Sequence, residues 1–171
     1  MTAAPVDLAV KRCFAPVVDA RTRILVLGSL PGEKSLAEGH YYAHRQNRFW
    51  HLIGAVIGID LPAQDYPSRL GSLLQHRIGL WDVVAQAQRK GSLDSQIRAH
   101  ASNDLPSLLA TLPELAVIAF NGGMAAKLGA RALAGQPVAP AIVKLPSSSP
   151  AHTVPYADKL LAWQALRDWL A

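Results

Sequence analysis

Short, continuous apolar runs recur along the chain, and each is followed by a glycine, an asparagine or a proline. The runs occupy residues 24–27, 116–120 and 141–145, and a fourth apolar stretch lies around residues 78–84. Runs of this length are typical of strands that are buried on both faces of a parallel sheet. The pattern therefore predicts four buried strands.

Between these strands the apolar residues recur at helical spacing. Phe49, Ile53, Val56 and Ile57 share one face up to Gly58, which predicts a helix that begins at Arg48 or Phe49. A second helix is predicted after a cap at Ser102 or Asn103 and ends before Pro113, and a third runs from the 121–123 turn to about residue 134. One short helix is expected within residues 1–20. The C-terminal helix is predicted to direct five side chains inward: Tyr156, Leu160, Trp163, Leu166 and Leu170.

Strands that alternate with helices predict an α/β fold, a three-layer α/β/α sandwich around a central, mainly parallel four-stranded sheet. At 171 residues the chain fits one domain, 1–171. Ligands of such sheets bind beyond the carboxyl ends of the strands. The loops at 28–48, 121–123 and 146–152 each follow a predicted strand, so we expect them to converge on one site.

Composition excludes several classes of protein. Half of the residues are hydrophobic and 17% are charged, which excludes a disordered chain. No apolar run reaches the roughly 18 residues that span a bilayer, and the N-terminus lacks the pattern of a secretory signal. We therefore expect a cytoplasmic protein, a monomer with no membrane partner.

Metal and cofactor chemistry is not expected. The single cysteine, Cys13, allows no internal disulfide and no iron–sulfur cluster. The six histidines, at positions 40, 44, 51, 76, 100 and 152, form no metal-binding spacing. The net charge of +5 suits a polyanionic partner, although the same charge is also compatible with a protein that is merely soluble.

The turn at residues 28–32 can bring backbone N–H groups close to a ligand, but it matches none of the common nucleotide or hydrolase motifs. A P-loop would need a second glycine before Lys34-Ser35, and neither a GxGxxG nor a GxSxG pattern occurs. The densest polar and aromatic cluster follows at residues 41–50. Its aromatic rings could stack on a base. Asn47 could hold a water, read an amide edge or cap the helix that follows.

These stretches resemble motifs of the uracil-DNA glycosylase superfamily. The 28–32 turn followed by Tyr42-Ala43-His44-Arg45-Gln46-Asn47-Arg48-Phe49-Trp50 is similar to the first motif region of mismatch-specific uracil/thymine-DNA glycosylases. The resemblance is closer to the hypoxanthine-DNA glycosylase branch and covers roughly residues 23–170. It rests on further matches in the same order along the chain: Ser35-Leu36, Leu80-Trp81-Asp82-Val83, Gly91-Ser92-Leu93-Asp94-Ser95-Gln96-Ile97, Phe120-Asn121-Gly122 and Leu145-Pro146-Ser147-Ser148-Ser149-Pro150-Ala151.

The resemblance implies roles for residues of the first two loops. Mismatch-specific relatives orient the attacking water with an asparagine at the position of Leu30, which cannot polarise water. In the hypoxanthine branch that role falls to the asparagine at the position of Asn47. Tyr42 matches the aromatic residue that stacks on the extruded base, whereas Tyr41 is expected in the core. The remaining assignments are base binding for Gly28, Ser29, Leu30, Pro31 and Gly32 and DNA binding for His44 and Arg45, where Arg45 replaces the usual proline.

The later loops complete the implied site. Asp82 is assigned to base reading or water contact, with a helix-terminal carboxylate or a salt-bridge partner as the alternative. Asn121 could contact the Watson–Crick edge, or it could simply be a turn residue before two glycines. The loop at 146–152 matches the one that pinches the phosphates, which implies DNA contacts for Ser147, Ser148, Ser149, Pro150 and His152. A surface histidine is the alternative for His152.

Together these matches imply a monofunctional DNA glycosylase that flips a deaminated base out of DNA and hydrolyses its glycosidic bond. The base would be hypoxanthine, uracil or xanthine, and the product an abasic site. Only Lys34 and Lys144 fall in or beside the motif loops, so a lysine Schiff base and strand cleavage are not expected. Two alternatives remain: a DNA-binding module that has lost catalysis through Leu30, and a small-molecule enzyme on a flavodoxin-like sheet.

Overall fold

The computed structural model describes residues 10–136 and 140–170. Its strands are β1 (Val10–Arg12), β2 (Ile24–Gly28), β3 (Ile78–Asp82), β4 (Val84–Arg89), β5 (Ile97–Ser102), β6 (Val117–Asn121) and β7 (Ala141–Leu145). Its α-helices are α1 (Glu33–Glu38), α2 (Phe49–Ile57), α3 (Tyr66–Gln75), α4 (Leu105–Leu109), α5 (Gly123–Ala132) and α6 (Tyr156–Gln164). Short 3-10 turns lie at Leu61–Ala63, Asp94–Gln96 and Ala165–Trp169.

The central sheet has four strands in the order β3-β2-β6-β7, and all three pairings are parallel. All five residues of β2 are buried, because apolar residues cover both faces of the strand. On one face Ile24 and Val26 join a core with side chains of α2, α3 and α6. On the other face Leu25 and Leu27 join a core with α4 and α5. The predicted fold, a parallel four-stranded sheet between helices, is confirmed.

The predicted single strand at 78–84 is in fact the end of one strand and the start of another. β3 ends at Asp82, and Val84 begins β4, which belongs to a second sheet with the order β1-β4-β5. Both pairings of this sheet are antiparallel, and the sheet was not predicted from the sequence. The expected short helix within residues 1–20 is not found from residue 10 onward, where Val10–Arg12 pairs with the edge of β4 instead. Residues 1–9 lie outside the described part of the chain.

The helices follow the apolar pattern with local exceptions. α2 spans Phe49–Ile57 and ends at Gly58 in the left-handed conformation, as predicted. The predicted cap of α4 is wrong: the Asp104 carboxylate accepts the Ser107 N–H at 3.1 Å, because Asp104 directly precedes the helix. Helix α1, inside the loop predicted to be irregular, and helix α3 were not predicted.

The C-terminal segment follows the predicted amphipathic pattern only in part. Trp163 and Leu166 are fully buried, but Tyr156 is 41% exposed, so its predicted inward orientation is wrong. Tyr156 is the first residue of α6 and lies on the wall of a surface cleft rather than over the sheet. None of the helices in the described ranges is long and apolar enough to cross a membrane.

Two helical glycines provide a test of how tightly the layers pack. A Cβ added at Gly129 in α5 would overlap with Cε1 of Phe120 on β6, whereas a Cβ at Gly71 in α3 would meet nothing within 4 Å. Gly129→Ala should therefore lower the free energy of unfolding by about 1–3 kcal/mol. Gly71→Ala should raise it by about 0.5–1 kcal/mol, because alanine is the better helix former. Urea unfolding of both variants measures the two effects. Equal shifts in the two variants would contradict the proposed close contact between α5 and the sheet.

Candidate active site

A cavity of about 540 Å³ opens at the carboxyl ends of the parallel strands. Its volume lies within the range of ligand pockets. The walls come from the loop and helix after β2, from the ends of β3 and β6, and from the loop after β7. Residues 92–95, between β4 and β5, complete the wall.

The floor of the cavity requires a glycine at the end of β2. A Cβ on Gly28 would lie 2.8 Å from Oδ1 of Asp82 and 3.0 Å from the hydroxyl oxygen of Tyr42. Both side-chain atoms therefore approach the same point of the β2 backbone. Any larger residue at position 28 would displace one of them.

Asp82 is a buried carboxyl group at the end of β3. It is 3% exposed, and its Oδ2 has no hydrogen-bond partner among the described residues. Burial raises the pKa of Asp82 to about 7, the negative charge of Asp94 adds to this rise, and Arg89 opposes it. Near neutral pH the group can therefore exist in its protonated form, which can donate a hydrogen bond, or in its ionised form, which can accept one.

Tyr42 lies on the cavity wall in an unusual backbone conformation. Its φ of 54° falls in the left-handed region, which a bulky residue rarely adopts. Hydrogen bonds hold both neighbours: the Trp50 indole donates to the Tyr41 carbonyl at 3.1 Å, and the Ala43 N–H donates to Ser35 Oγ at 3.0 Å. The Tyr42 ring stacks on Phe49 with its centroid 3.9 Å away. The fold thus maintains a strained residue at the cavity.

The Tyr42 hydroxyl is also buried and has no hydrogen-bond partner in the described ranges. Burial raises the pKa of Tyr42 above its ordinary value, and the charge of Asp82 raises it further. The hydroxyl is therefore protonated and available as a donor. Buried polar atoms without partners are rare in folded proteins, and three of them, Tyr41 Oη, Tyr42 Oη and Asp82 Oδ2, belong to residues that line this one cavity.

Asn47 combines a structural bond with a position on the cavity wall. Its Oδ1 accepts the Phe49 N–H at 2.9 Å, so the side chain caps the start of α2. This bond orients the amide, and the residue remains half-buried and lines the cavity. The two roles considered for Asn47 from the sequence are thus compatible in geometry.

Arg89 holds the turn that follows β2. It is 1% exposed, and its guanidinium donates to the carbonyl oxygens of Leu30 (3.3 Å), Pro31 and Gly91 (3.0 Å). Beside it, the Ser29 hydroxyl donates to Asp94 Oδ1 at 2.6 Å. The 28–32 turn and the loop that contains Gly91 and Asp94 are therefore joined through one buried arginine and one serine–aspartate bond.

Asn121 holds the loop that follows β7. Its Nδ2 donates to Ser148 Oγ at 2.9 Å, and its Oδ1 accepts the Ser148 N–H at 2.9 Å. Both ends of the amide are therefore engaged within the protein. The next residue, Ser149, accepts a hydrogen bond at its carbonyl from Lys159 Nζ at 3.0 Å. These contacts fix the backbone of the 147–149 segment at the cavity.

Comparisons with known proteins agree with this geometry. The sequence profile of the Uracil DNA glycosylase superfamily matches residues 15–168. The chain belongs to this superfamily. A hypoxanthine DNA glycosylase from Methanosarcina barkeri (strain Fusaro / DSM 804) is 43% identical over 112 residues, which are 66% of this chain and 71% of the relative. A hypoxanthine DNA glycosylase from Methanosarcina acetivorans is 43% identical over 113 residues, 66% of this chain and 72% of the relative.

The fold also matches a solved member. A solution NMR structure from Methanosarcina acetivorans, described as a candidate uracil DNA glycosylase, superposes with a TM-score of 0.84 at 38% identity. The match covers 95% of this chain and 99% of that one. The predicted family and the prediction of a monofunctional DNA glycosylase are confirmed at the level of this superfamily.

The structure brings most of the predicted site residues of this glycosylase together. The predicted site residues that line the cavity are Gly28, Ser29, Leu30, Pro31, Gly32, Tyr42, His44, Asn47, Asp82, Asn121, Ser147, Ser148, Ser149, Pro150 and His152. Arg45 is exposed and lies outside this lining. Leu30 packs into the core with Leu27 and Phe120, in line with its lack of any polar role. The functional roles of these residues remain predictions.

Several residues of the site were not predicted from the sequence. Asp94 lies within one of the matched motifs, but nothing in the sequence indicates its bond to Ser29. Arg89 and Lys159 gave no signal, because a lone basic residue on a strand or helix is usually exposed. Among residues 10–136 and 140–170, no cluster of three or more histidine, cysteine or acidic side chains could hold a metal ion.

The raised pKa of Asp82 predicts how stability depends on pH. Folded Asp82 binds its proton up to about pH 7, while the unfolded side chain releases it near the ordinary value of 3.8. Wild-type stability should therefore fall as the pH rises from 5 to 8. Asp82→Asn removes this ionisation, so its melting temperature relative to wild type should rise between pH 5 and pH 8.

The control for this measurement is Asp104→Asn. Hydrogen bonds from Ser107 lower the pKa of Asp104, so this carboxylate stays ionised over the whole range. The difference in melting temperature between Asp104→Asn and wild type should thus be the same at both pH values. A constant difference for Asp82→Asn as well would show that Asp82 is not protonated near neutral pH.

Proposed function

We propose that this glycosylase excises hypoxanthine from DNA by hydrolysis and leaves an abasic site. The observation that carries the proposal is the convergence of Tyr42, Asn47 and Asp82 on one cavity at the carboxyl edge of the sheet. The two Methanosarcina relatives, described as hypoxanthine DNA glycosylases, support the choice of base.

The substrate base must leave the helix to reach this cavity. A base stacked inside a duplex exposes neither its faces nor its glycosidic bond to side chains at the end of a pocket. Extrusion costs a few kcal/mol, and less for a base in a weakened pair. Hypoxanthine forms from adenine and then pairs poorly with the opposing thymine. The lower cost of extrusion contributes to selectivity.

Tyr42 supplies the stacking surface for the extruded base. Phe49 covers one face of the tyrosine ring at 3.9 Å, and the residue lines the cavity. Because the neighbouring residues hold the left-handed backbone, the ring is positioned before DNA binds. Stacking of this kind contributes about 1–3 kcal/mol per base.

Asp82 acts on the polar edge of the purine. Hypoxanthine carries one ring N–H donor, at N1, and acceptors at O6, N3 and N7. The protonated carboxyl of Asp82 can donate to an acceptor, and the ionised form can accept from N1–H. As the C1′–N9 bond breaks, its electron pair moves onto the base. A hydrogen bond from a protonated Asp82 then stabilises the charge that develops on the leaving group.

Asn47 positions the water that completes the reaction. The water oxygen bonds to C1′ of the sugar, the C1′–N9 bond breaks, and the proton lost by the water ends on the departing base. With Oδ1 bound to the helix, the Nδ2 group and the second lone pair of Oδ1 are left for this water. No imine is formed: of the described lysines, only Lys34 lines the cavity, and it pairs with Glu38 at 2.9 Å.

The two roles of Asn47 can be separated with two variants. Asn47→Ala removes both the cap and the water-positioning amide, so it should lower stability by about 0.5–2 kcal/mol. It should also lower the single-turnover excision rate by roughly 10²–10³-fold, because a preorganised polar group is lost. Asn47→Ser keeps an oxygen that can cap the helix. It should recover most of the stability but not the rate.

Thermal unfolding and single-turnover excision, measured on the same preparations, distinguish the capping role of Asn47 from its water-positioning role. Affinity for duplex DNA should change little in either variant. If Asn47→Ser recovered rate and stability together, Asn47 would be a cap and nothing more.

The choice of base is tested with a panel of labelled duplexes. Each duplex carries one hypoxanthine, uracil or xanthine, and abasic sites are revealed by alkaline cleavage. Hypoxanthine should be released fastest, and no strand should break before the alkali is added. Release of uracil but not hypoxanthine would refute the proposed substrate. DNA binding without release of any base would favour a module that has lost catalysis.

A further inference from the structure

A second, smaller cleft adjoins the candidate active site. Its volume is about 330 Å³, and Pro150 and His152 line both cavities. The walls of the cleft include the basic residues Arg48 and Lys159 and the aromatic ring of Tyr156. No carboxylate is among its lining residues; Asp158, although in the first turn of α6, is not one of them.

Lys159 is an unusually buried cation. The residue is 4% exposed, and its ammonium group donates to the Ser149 carbonyl at 3.0 Å. Burial lowers the pKa of Lys159, and the positive charge of Arg48 lowers it further. In the described part of the chain no ion pair joins either residue to an acidic side chain. Two like charges that share a cleft without a counterion make a site that favours an anion.

Arg48 connects this cleft to the reacting centre. It directly follows Asn47 and directly precedes helix α2. Its N–H donates to the Ser148 carbonyl at 3.0 Å, so its backbone is joined to the loop that Asn121 holds. The Arg48 side chain is exposed and makes no hydrogen bond within the ranges described. An anion bound by this side chain would bear directly on the position of Asn47.

We propose that the cleft binds a backbone phosphate of the DNA strand beside the extruded nucleotide, with Arg48 and Lys159 as its ligands. This inference rests on the proposed function for the identity of the anion. A flipped nucleotide remains joined to its strand through the flanking phosphates, so one phosphate must lie near the mouth of the base cavity. Tyr156, at 41% exposure, offers an apolar ring to the adjoining sugar.

The first test measures the salt dependence of DNA binding. The ligand is a duplex with a stable abasic-site analogue, which the protein cannot cleave. Each neutralised phosphate contributes about 0.9 to the slope of log affinity against log salt concentration. Arg48→Gln should reduce the magnitude of this slope by up to about 0.9, the contribution of one phosphate contact. The control is Lys127→Gln, which removes the same charge from an exposed position on α5 and should leave the slope unchanged.

A second measurement locates the phosphate. Neutral methylphosphonates replace the phosphates of the same duplex one at a time. Wild type should lose affinity sharply at one position beside the abasic analogue, and Arg48→Gln should be insensitive at that position only. Lys159→Met keeps the apolar stem of the side chain and should show the same insensitivity. If Lys159→Met does not fold, the methylphosphonate profile of Arg48→Gln alone tests the phosphate site.

The outcomes separate this inference from the proposed function. If wild type excises hypoxanthine but Arg48→Gln has the slope and the methylphosphonate profile of Lys127→Gln, the phosphate site is overturned and the function stands. The converse result is a wild type that excises no base, with an Arg48→Gln variant that shows a smaller salt dependence and no sensitivity at one phosphate. That result would support the phosphate site and refute the proposed function.

Discussion

In the central sheet, β2 pairs in parallel with β3 on one side and with β6 on the other, and Ile24 lies opposite both Ile78 and Val117. This register brings Gly28 opposite Asp82 at the carboxyl end. One strand further along, Asn121 lies opposite Leu145, which leads into the 146–152 loop. A slip of two residues would move Asp82 about 6.6 Å along the sheet, since parallel strands advance about 3.3 Å per residue. The composition of the cavity therefore depends on strand register, and the register depends on burial of the apolar face on each side of β2.

The cavity is a place where the fold tolerates unfavourable local structure. Tyr42 adopts a left-handed backbone conformation, and its hydroxyl, like Asp82 Oδ2, is buried without a partner among the described residues. Each feature costs of the order of one to a few kcal/mol. The surrounding hydrogen bonds and the fully buried strands supply the compensation. Groups maintained at this cost are suited to a polar ligand that enters the cavity and satisfies them.

Elements with a regular pattern of apolar residues could be predicted from the sequence. The four strands of the central sheet and helix α2 follow from apolar runs and helical spacing, and the site residues follow from motifs at the strand ends. The β1-β4-β5 sheet could not be predicted in this way, because Val84–Arg89 contains one β-branched residue and no aromatic residue, the two classes in which strands are enriched. The inward prediction for Tyr156 failed because periodicity identifies a face of a helix but not where the core ends. Arg89 and Lys159 are buried with their charged groups bound to main-chain carbonyls of other segments, and no local pattern encodes such contacts.

These two basic residues each hold a loop that lines the cavity. Arg89 uses a planar group with several donors to hold three carbonyl oxygens, whereas Lys159 holds one. Arg89 also acts electrostatically: its charge lowers the pKa of Asp82, while burial and Asp94 raise it. The group that holds the 28–32 turn thus also limits how far burial and Asp94 raise the pKa of Asp82. A lysine at position 89 would retain the charge but could not hold the Leu30, Pro31 and Gly91 carbonyls at once. The conformation of the 28–32 turn and the protonation of Asp82 therefore both depend on the Arg89 side chain. This double dependence explains why an arginine is buried in β4.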